Sequence, residues 1–97
     1  MCGATTGGLS LEGIDMATET VIQGVVENEG EPVPGAFVRL LDSSGEFTAE
    51  VVTSATGGFR FFAAPGSWTV RALSSAGAAQ ATVEAAQGSV AEATISL

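Results

Sequence analysis

From Glu19 onward, apolar and polar residues alternate in short runs, with turn residues between them. Turn signals recur about every 8–12 positions, the spacing of an all-β sandwich. In ETVIQGVVE, Ile22, Gly24 and Val26 share one phase of a strand with period two. NEGEPVPG, with its two prolines, reads as a turn and connector. AFVRLLD follows as a second strand, with Ala36, Val38 and Leu40 facing inward. DSSG turns the chain into EFTAEVVT, and SATGG turns it into FRFF, where Phe59 and Phe61 share the inward phase. After AAPG, SWTVRALS places Trp68, Val70 and Ala72 on the inner face.

The C-terminal stretch AGAAQATVEAAQGSVAEATISL is rich enough in alanine for a helix, but its period is two. Ala79, Ala81, Val83 and Ala85 alternate with Gln80, Thr82 and Glu84. Ala91, Ala93, Ile95 and Leu97 alternate with Glu92, Thr94 and Ser96, and Gly88 reads as a hairpin turn between the two runs. The pattern therefore predicts seven antiparallel strands in two packed sheets, a Greek-key sandwich over residues 19–97. Val26, Val38, Leu40, Phe59, Phe61, Trp68 and Val70 are its expected core.

Residues 1–18 have no sustained period and are rich in Gly, Thr and Ser, so they read as a flexible N-terminal arm. The whole chain has 97 residues, enough for one small domain. A chain of this size buries only about 60–65% of its unfolded surface. Eleven acidic residues against three arginines give a net charge of −8, and there is no lysine or histidine. Nucleic acids and anionic membranes are poor partners for such a chain, because binding them rests on clustered Lys and Arg. No apolar run approaches the roughly 18–20 residues of a membrane span. No basic and apolar leader precedes the domain, which predicts a cytoplasmic protein.

Three stretches carry a resemblance. GVVENEGEPVPGAFVRL over residues 24–40, TSATGGFRF over 53–61 and PGSWTVRA over 65–72 resemble the carboxypeptidase-regulatory-like superfamily of transthyretin-like sandwiches. The run GAFVRLLDSSGEFTAEVVTSATGGFRFFAAPGSWTVRAL, with the Met-Cys start, is similar to a family of small actinobacterial proteins. Members of that family are commonly encoded beside a rhodanese-type thiosulfate sulfurtransferase and are associated with sulfur metabolism. The first resemblance implies the fold, and the second implies that sulfurtransferase as a partner.

Missing residue types narrow the chemistry. Transthyretin-like hydrolases of purine-derived rings use histidine, adhesin sandwiches close isopeptide bonds with lysine, and dioxygenases on a similar sandwich hold iron with Tyr and His. This chain has no histidine, lysine or tyrosine. NEGE and DSSGE match no calcium-loop spacing, so no metal or cofactor site is expected. Only carboxylates and one thiol remain for polar catalysis. That thiol, Cys2, lies in the arm beside Gly3. Removal of Met1 would place it next to an α-ammonium group, which favours the nucleophilic thiolate. Cys2 is therefore the candidate persulfide acceptor of a sulfur relay, and the competing reading is a structural binding module in which Cys2 is incidental.

Arg39, Arg60 and Arg71 all fall in the outward phase, together with Phe37, Leu41 and Phe62. Arginine and aromatic residues are enriched at interface cores. Were these strands in one sheet, its outer face would be an apolar and locally basic patch. Three readings stand open for it: scattered surface residues, an interface for a partner or a homo-oligomer, and an anion pocket.

Overall fold

A computed structural model describes residues 19–97, which form eight β-strands and no helix. They are β1 (Val21–Asn28), β2 (Glu31–Pro32), β3 (Phe37–Leu41), β4 (Phe47–Val52), β5 (Gly58–Phe62), β6 (Gly66–Ser74), β7 (Gly77–Ala85) and β8 (Val90–Ser96). In the first sheet, β1 is central, with β8 along one edge and β5 and β2 along the other. The second sheet has the order β4-β3-β6-β7. The expected all-β sandwich is therefore present, with one strand more than the seven anticipated. The addition is β2, a two-residue strand in the proline-containing connector that pairs with the end of β1.

The predicted inner phases meet between the sheets. Ile22, Val26, Phe59, Phe61 and Ile95 of the first sheet pack against Val38, Leu40, Val70, Ala72 and Ala85 of the second. Gly24 completes the inner row of β1, and a Cβ there would stand 2.9 Å from Cζ of Phe59. The missing side chain is what lets the Phe59 ring lie across β1. Its centroid is 6.1 Å from that of Phe61, in a tilted arrangement typical of aromatic pairs. Trp68 was expected inside, but it is only half-buried. It packs on the rim of the core while its indole Nε1 donates to the carbonyl of Ala64 at 2.8 Å, because the polar edge of an indole needs a partner.

The alternation in the C-terminal stretch is real, but the expected hairpin at Gly88 is not. β7 belongs to the second sheet, and β8 crosses to the first, where it runs parallel to β1 from Val21↔Val90 to Glu27↔Ser96. Gly88 (φ 76°) turns the chain between layers, and its N–H donates to the carbonyl of Glu19 at 2.9 Å. A second departure from simple alternation lies in β4. Counting back from the inner residues Ala49 and Val51 would bury Phe47. The register shifts between Leu40 and Leu41 of β3, which stand opposite Ala49 and Phe47, so Thr48 is the extra residue of a bulge on β4. The extra residue shifts the phase and leaves Phe47 61% exposed.

Candidate functional site

Cross-strand register sorts the outward residues of the second sheet into rungs. One rung is Val52–Phe37–Leu73–Ala78, the next Glu50–Arg39–Arg71–Gln80, and the third Phe47–Leu41–Thr69–Thr82. Phe37 (50%), Phe47 (61%) and Val52 (56%) are all large apolar side chains left open to solvent. Apolar side chains on the first and third rungs thus flank the charged one. Within the charged rung, Nε of Arg39 lies 2.8 Å from Oε2 of Glu50. Arg71 stands directly across from Arg39, and among the described residues it makes no ion pair. Two arginines against one glutamate leave this rung one net positive charge on a chain of net charge −8.

The six residues singled out in the sequence therefore do not share one face. Phe37, Arg39, Leu41 and Arg71 lie on the outer face of the second sheet, whereas β5 carries Arg60 and Phe62 on the first. Outward phase says only that a side chain leaves the core, and the outer faces of a sandwich point in opposite directions. On the first sheet the corresponding rung is Glu92–Gln23–Arg60. Nε of Arg60 donates to Oε1 of Gln23 at 3.0 Å, and Nε2 of Gln23 lies 3.5 Å from Glu92. Phe62 sits in the neighbouring rung beside Val21, which is fully buried. Cys2 lies outside the described residues.

Sequence reasoning missed Phe47, Val52 and Leu73 as members of the face. Val52 and Leu73 follow once β3 is paired with β4 and β6, because each is the direct partner of Phe37. Phe47 depends on the bulge, which has no signal in the alternation.

The edge of the face is held by a buried threonine. Oγ1 of Thr53 accepts from the N–H of Ala36 at 2.8 Å and donates to the carbonyl of Val33 at 2.7 Å. The backbone N–H of Thr53 also donates to the carbonyl of Ala36. These bonds clamp the connector before β3 and so fix where Phe37 emerges. Beside Phe37 and Leu73 a shallow groove of about 370 Å³ runs between this connector and the β6–β7 turn. Val33, Pro34, Gly35 and Ser74 also line it, and no ionisable group does. Such a groove can take an apolar side chain, and its lining sets no acid or base beside the serine hydroxyls.

Elsewhere the carboxylate of Asp42 is structural. Oδ1 of Asp42 accepts from the Ser44 hydroxyl at 2.6 Å and from the N–H groups of Ser44 and Glu46 at 2.9 and 3.0 Å. The Ser44 hydroxyl, followed by the Glu46 amide, holds the Asp42 carboxyl below the usual carboxylate range. Asp42 thus caps its own turn. Among the described residues no three His, Cys, Asp or Glu side chains come together as a metal site. Nor is any helix there long and apolar enough to cross a membrane.

The family described as "Protein of unknown function (DUF1416)" matches residues 2–97, nearly the whole chain. This chain belongs to the DUF1416 family. Its relatives include the uncharacterized proteins Rv0814c and Rv3118 of Mycobacterium tuberculosis (strain H37Rv). Each is 64% identical over 86 residues, covering 87% of this DUF1416 chain and 86% of the relative. An uncharacterized protein of Mycolicibacterium smegmatis is 71% identical over 72 residues, covering 73% of this chain and 80% of its own length. Among solved structures, the DUF1416 sandwich is similar to a DUF3823 family protein from Parabacteroides merdae (TM-score 0.61, 15% identity). That likeness covers 82% of this chain and 46% of the other. It is also similar to the dioxygenase domain of a dioxygenase carbohydrate-binding protein fusion from Streptomyces sp. SirexAA-E. There the TM-score is 0.62 at 12% identity, over 94% of this chain and 86% of that one. At such identities the likeness is one of fold.

Proposed function

We propose that this DUF1416 protein is a non-catalytic accessory module of the cytoplasm that docks a protein partner on the outer face of its second sheet. The observation that carries this reading is the exposure of Phe37, Phe47 and Val52 around the Arg39–Glu50 rung. Monomers rarely gather large apolar side chains on one face without a use for them. Aromatic and arginine side chains are also the commonest hot-spot residues. A partner that fits would present apolar side chains to Phe37 and Phe47 and a carboxylate to Arg71.

The sequence resemblance supports a rhodanese-type thiosulfate sulfurtransferase as the proposed partner, with Cys2 as the candidate acceptor of a sulfane sulfur. In that step the Cys2 thiolate attacks the outer sulfur of the enzyme's cysteine persulfide. A persulfide forms on Cys2, and the enzyme's own thiolate is the leaving group. No outside oxidant or reductant is required.

The test measures binding of the purified sulfurtransferase to parent protein and to Phe37→Glu and Arg71→Glu, both exposed positions whose change should leave the fold intact. Each variant should weaken binding by about tenfold or more, and parent-like binding by both would overturn the docking face. Intact-mass measurement after incubation with enzyme and thiosulfate should find one added sulfur in the parent and none in Cys2→Ser. Binding without added sulfur would leave a binding module free of sulfur chemistry.

A further inference from the structure

We infer that the free edge of β7 is a self-association site, through which two copies join their second sheets into one continuous eight-stranded sheet. Among the described residues β7 pairs only with β6 and ends its sheet, so alternate backbone N–H and C=O groups along it point off the sheet. Proteins commonly guard such edges with lysine, proline, bulges, inward charges or short length. Two other edges of the sandwich carry such devices: β4 is bulged against β3, and β5 has only five residues. β8 is the shorter of the two remaining edges, with seven residues, and its Glu92 is held by Gln23 of its own sheet.

β7 has none of these over most of its length. It spans nine residues, GAAQATVEA, in unbroken register with β6 from Ser74↔Gly77 to Gly66↔Ala85. Its one charged residue, Glu84, accepts a hydrogen bond from the Ser67 hydroxyl of its own sheet, so the carboxylate is drawn back over β6. The inner side chains Ala79, Ala81 and Val83 are only half-buried, because the sheet stops at this strand.

A second copy of the chain fits the edge. Antiparallel pairing about a two-fold axis at Ala81 is the one register that uses all nine residues, since it sets Gly77 against Ala85 of the other copy. Opposed residues in an antiparallel pair point to the same side. Ala79 then meets Val83, and Ala81 meets its own copy, all on the core side. On the outer side Gln80 meets Thr82, and Glu84 meets Ala78 rather than another carboxylate. Such an interface is isologous and closed, so it stops at a dimer. The two-fold axis is perpendicular to the sheet, so both Phe37 faces look in one direction.

Sedimentation of the full chain from low micromolar to near-millimolar concentration should show a reversible monomer–dimer equilibrium. Dimerisation should strengthen with added salt, because each copy carries a net charge of −8. Ala81→Lys and Ala81→Glu each place like charges across the axis and should weaken the dimer by about tenfold or more. An equimolar mixture of the two should restore it. As a check free of substitutions, amide exchange of the parent should slow with concentration at alternate residues of β7 and nowhere on β4. A parent that remains monomeric throughout overturns the proposal. So do Ala81 variants that fold and dimerise as the parent does, or a dimer whose exchange protection falls outside β7.

Discussion

Replacing Gly24 by alanine should be among the most damaging single-methyl changes this fold can receive. Ideal geometry puts the new Cβ 1.7 Å from the carbonyl oxygen of Ala93, 2.8 Å from its carbonyl carbon and 2.9 Å from Cζ of Phe59. Carbon and oxygen in contact stand about 3.3 Å apart or more, so β8 would have to retreat by roughly 1.5 Å. It cannot do so locally. It is paired with β1 from Val21 to Glu27, and the N–H of Leu97 donates to the carbonyl of Glu27 at 2.8 Å. Losing two or three ladder bonds costs about 0.5–1.5 kcal/mol each, and partly uncovering Ile95 costs about 1–2 kcal/mol more. The sum is about 2–6 kcal/mol, a large share of the roughly 4–12 kcal/mol expected for a domain of this length. Gly45→Ala is the control, because its φ of 88° strains alanine while nothing stands within 4 Å. It should cost about 1 kcal/mol. Urea unfolding followed by the fluorescence of Trp68, the only tryptophan, gives both values. A Gly24→Ala midpoint within about 1 kcal/mol of the parent, at unchanged m-value, would refute the close approach of β8 to β1.

The buried Thr53 hydroxyl holds both Ala36 and Val33, so Thr53→Val should destabilise by about 2–3 kcal/mol. Thr53→Ser, which keeps the hydroxyl, should recover most of that loss in the same urea assay. Asp42 tests the capped turn through pH. Its folded pKa is depressed, so its contribution is present above the ordinary carboxylate pKa of about 4 and disappears as pH falls through the lower folded value. The stability difference between parent and Asp42→Asn should therefore be larger at neutral pH and shrink with acidification. A difference that does not change with pH would mean that the turn gains nothing from the charge.

Strand identity was legible in the sequence because a sandwich strand faces core on one side and solvent on the other. Hence Ile22, Val38, Phe59, Val70 and Ile95 were readable as inner residues from period two alone. Sheet membership was not, since alternation is the same whichever layer a strand joins. That is why Arg60 and Phe62 parted from Arg39 and Arg71, and why Gly88 read as a hairpin. The bulge that exposes Phe47 is a pairing feature, absent from either strand by itself. Burial of Val21 and Gln23 on the outward side of β1 likewise has no signal in the alternation. Four residues of the proposed docking face were therefore readable, namely Phe37, Arg39, Leu41 and Arg71. Phe47, Val52 and Leu73 needed the register.

The parallel pairing of β1 with β8 also governs how the protein can be made. Val21 and Val90 lie side by side, yet 69 residues separate them in the chain (90 − 21). At synthesis rates of about 5–20 residues per second, β1 waits several seconds on the ribosome with its inner valine and isoleucine uncovered. No N-terminal fragment can close the first sheet in that interval, because its central strand lacks one neighbour until β8 emerges. Non-local pairing of this kind slows folding. The first sheet of this sandwich therefore closes only after β8 has been made.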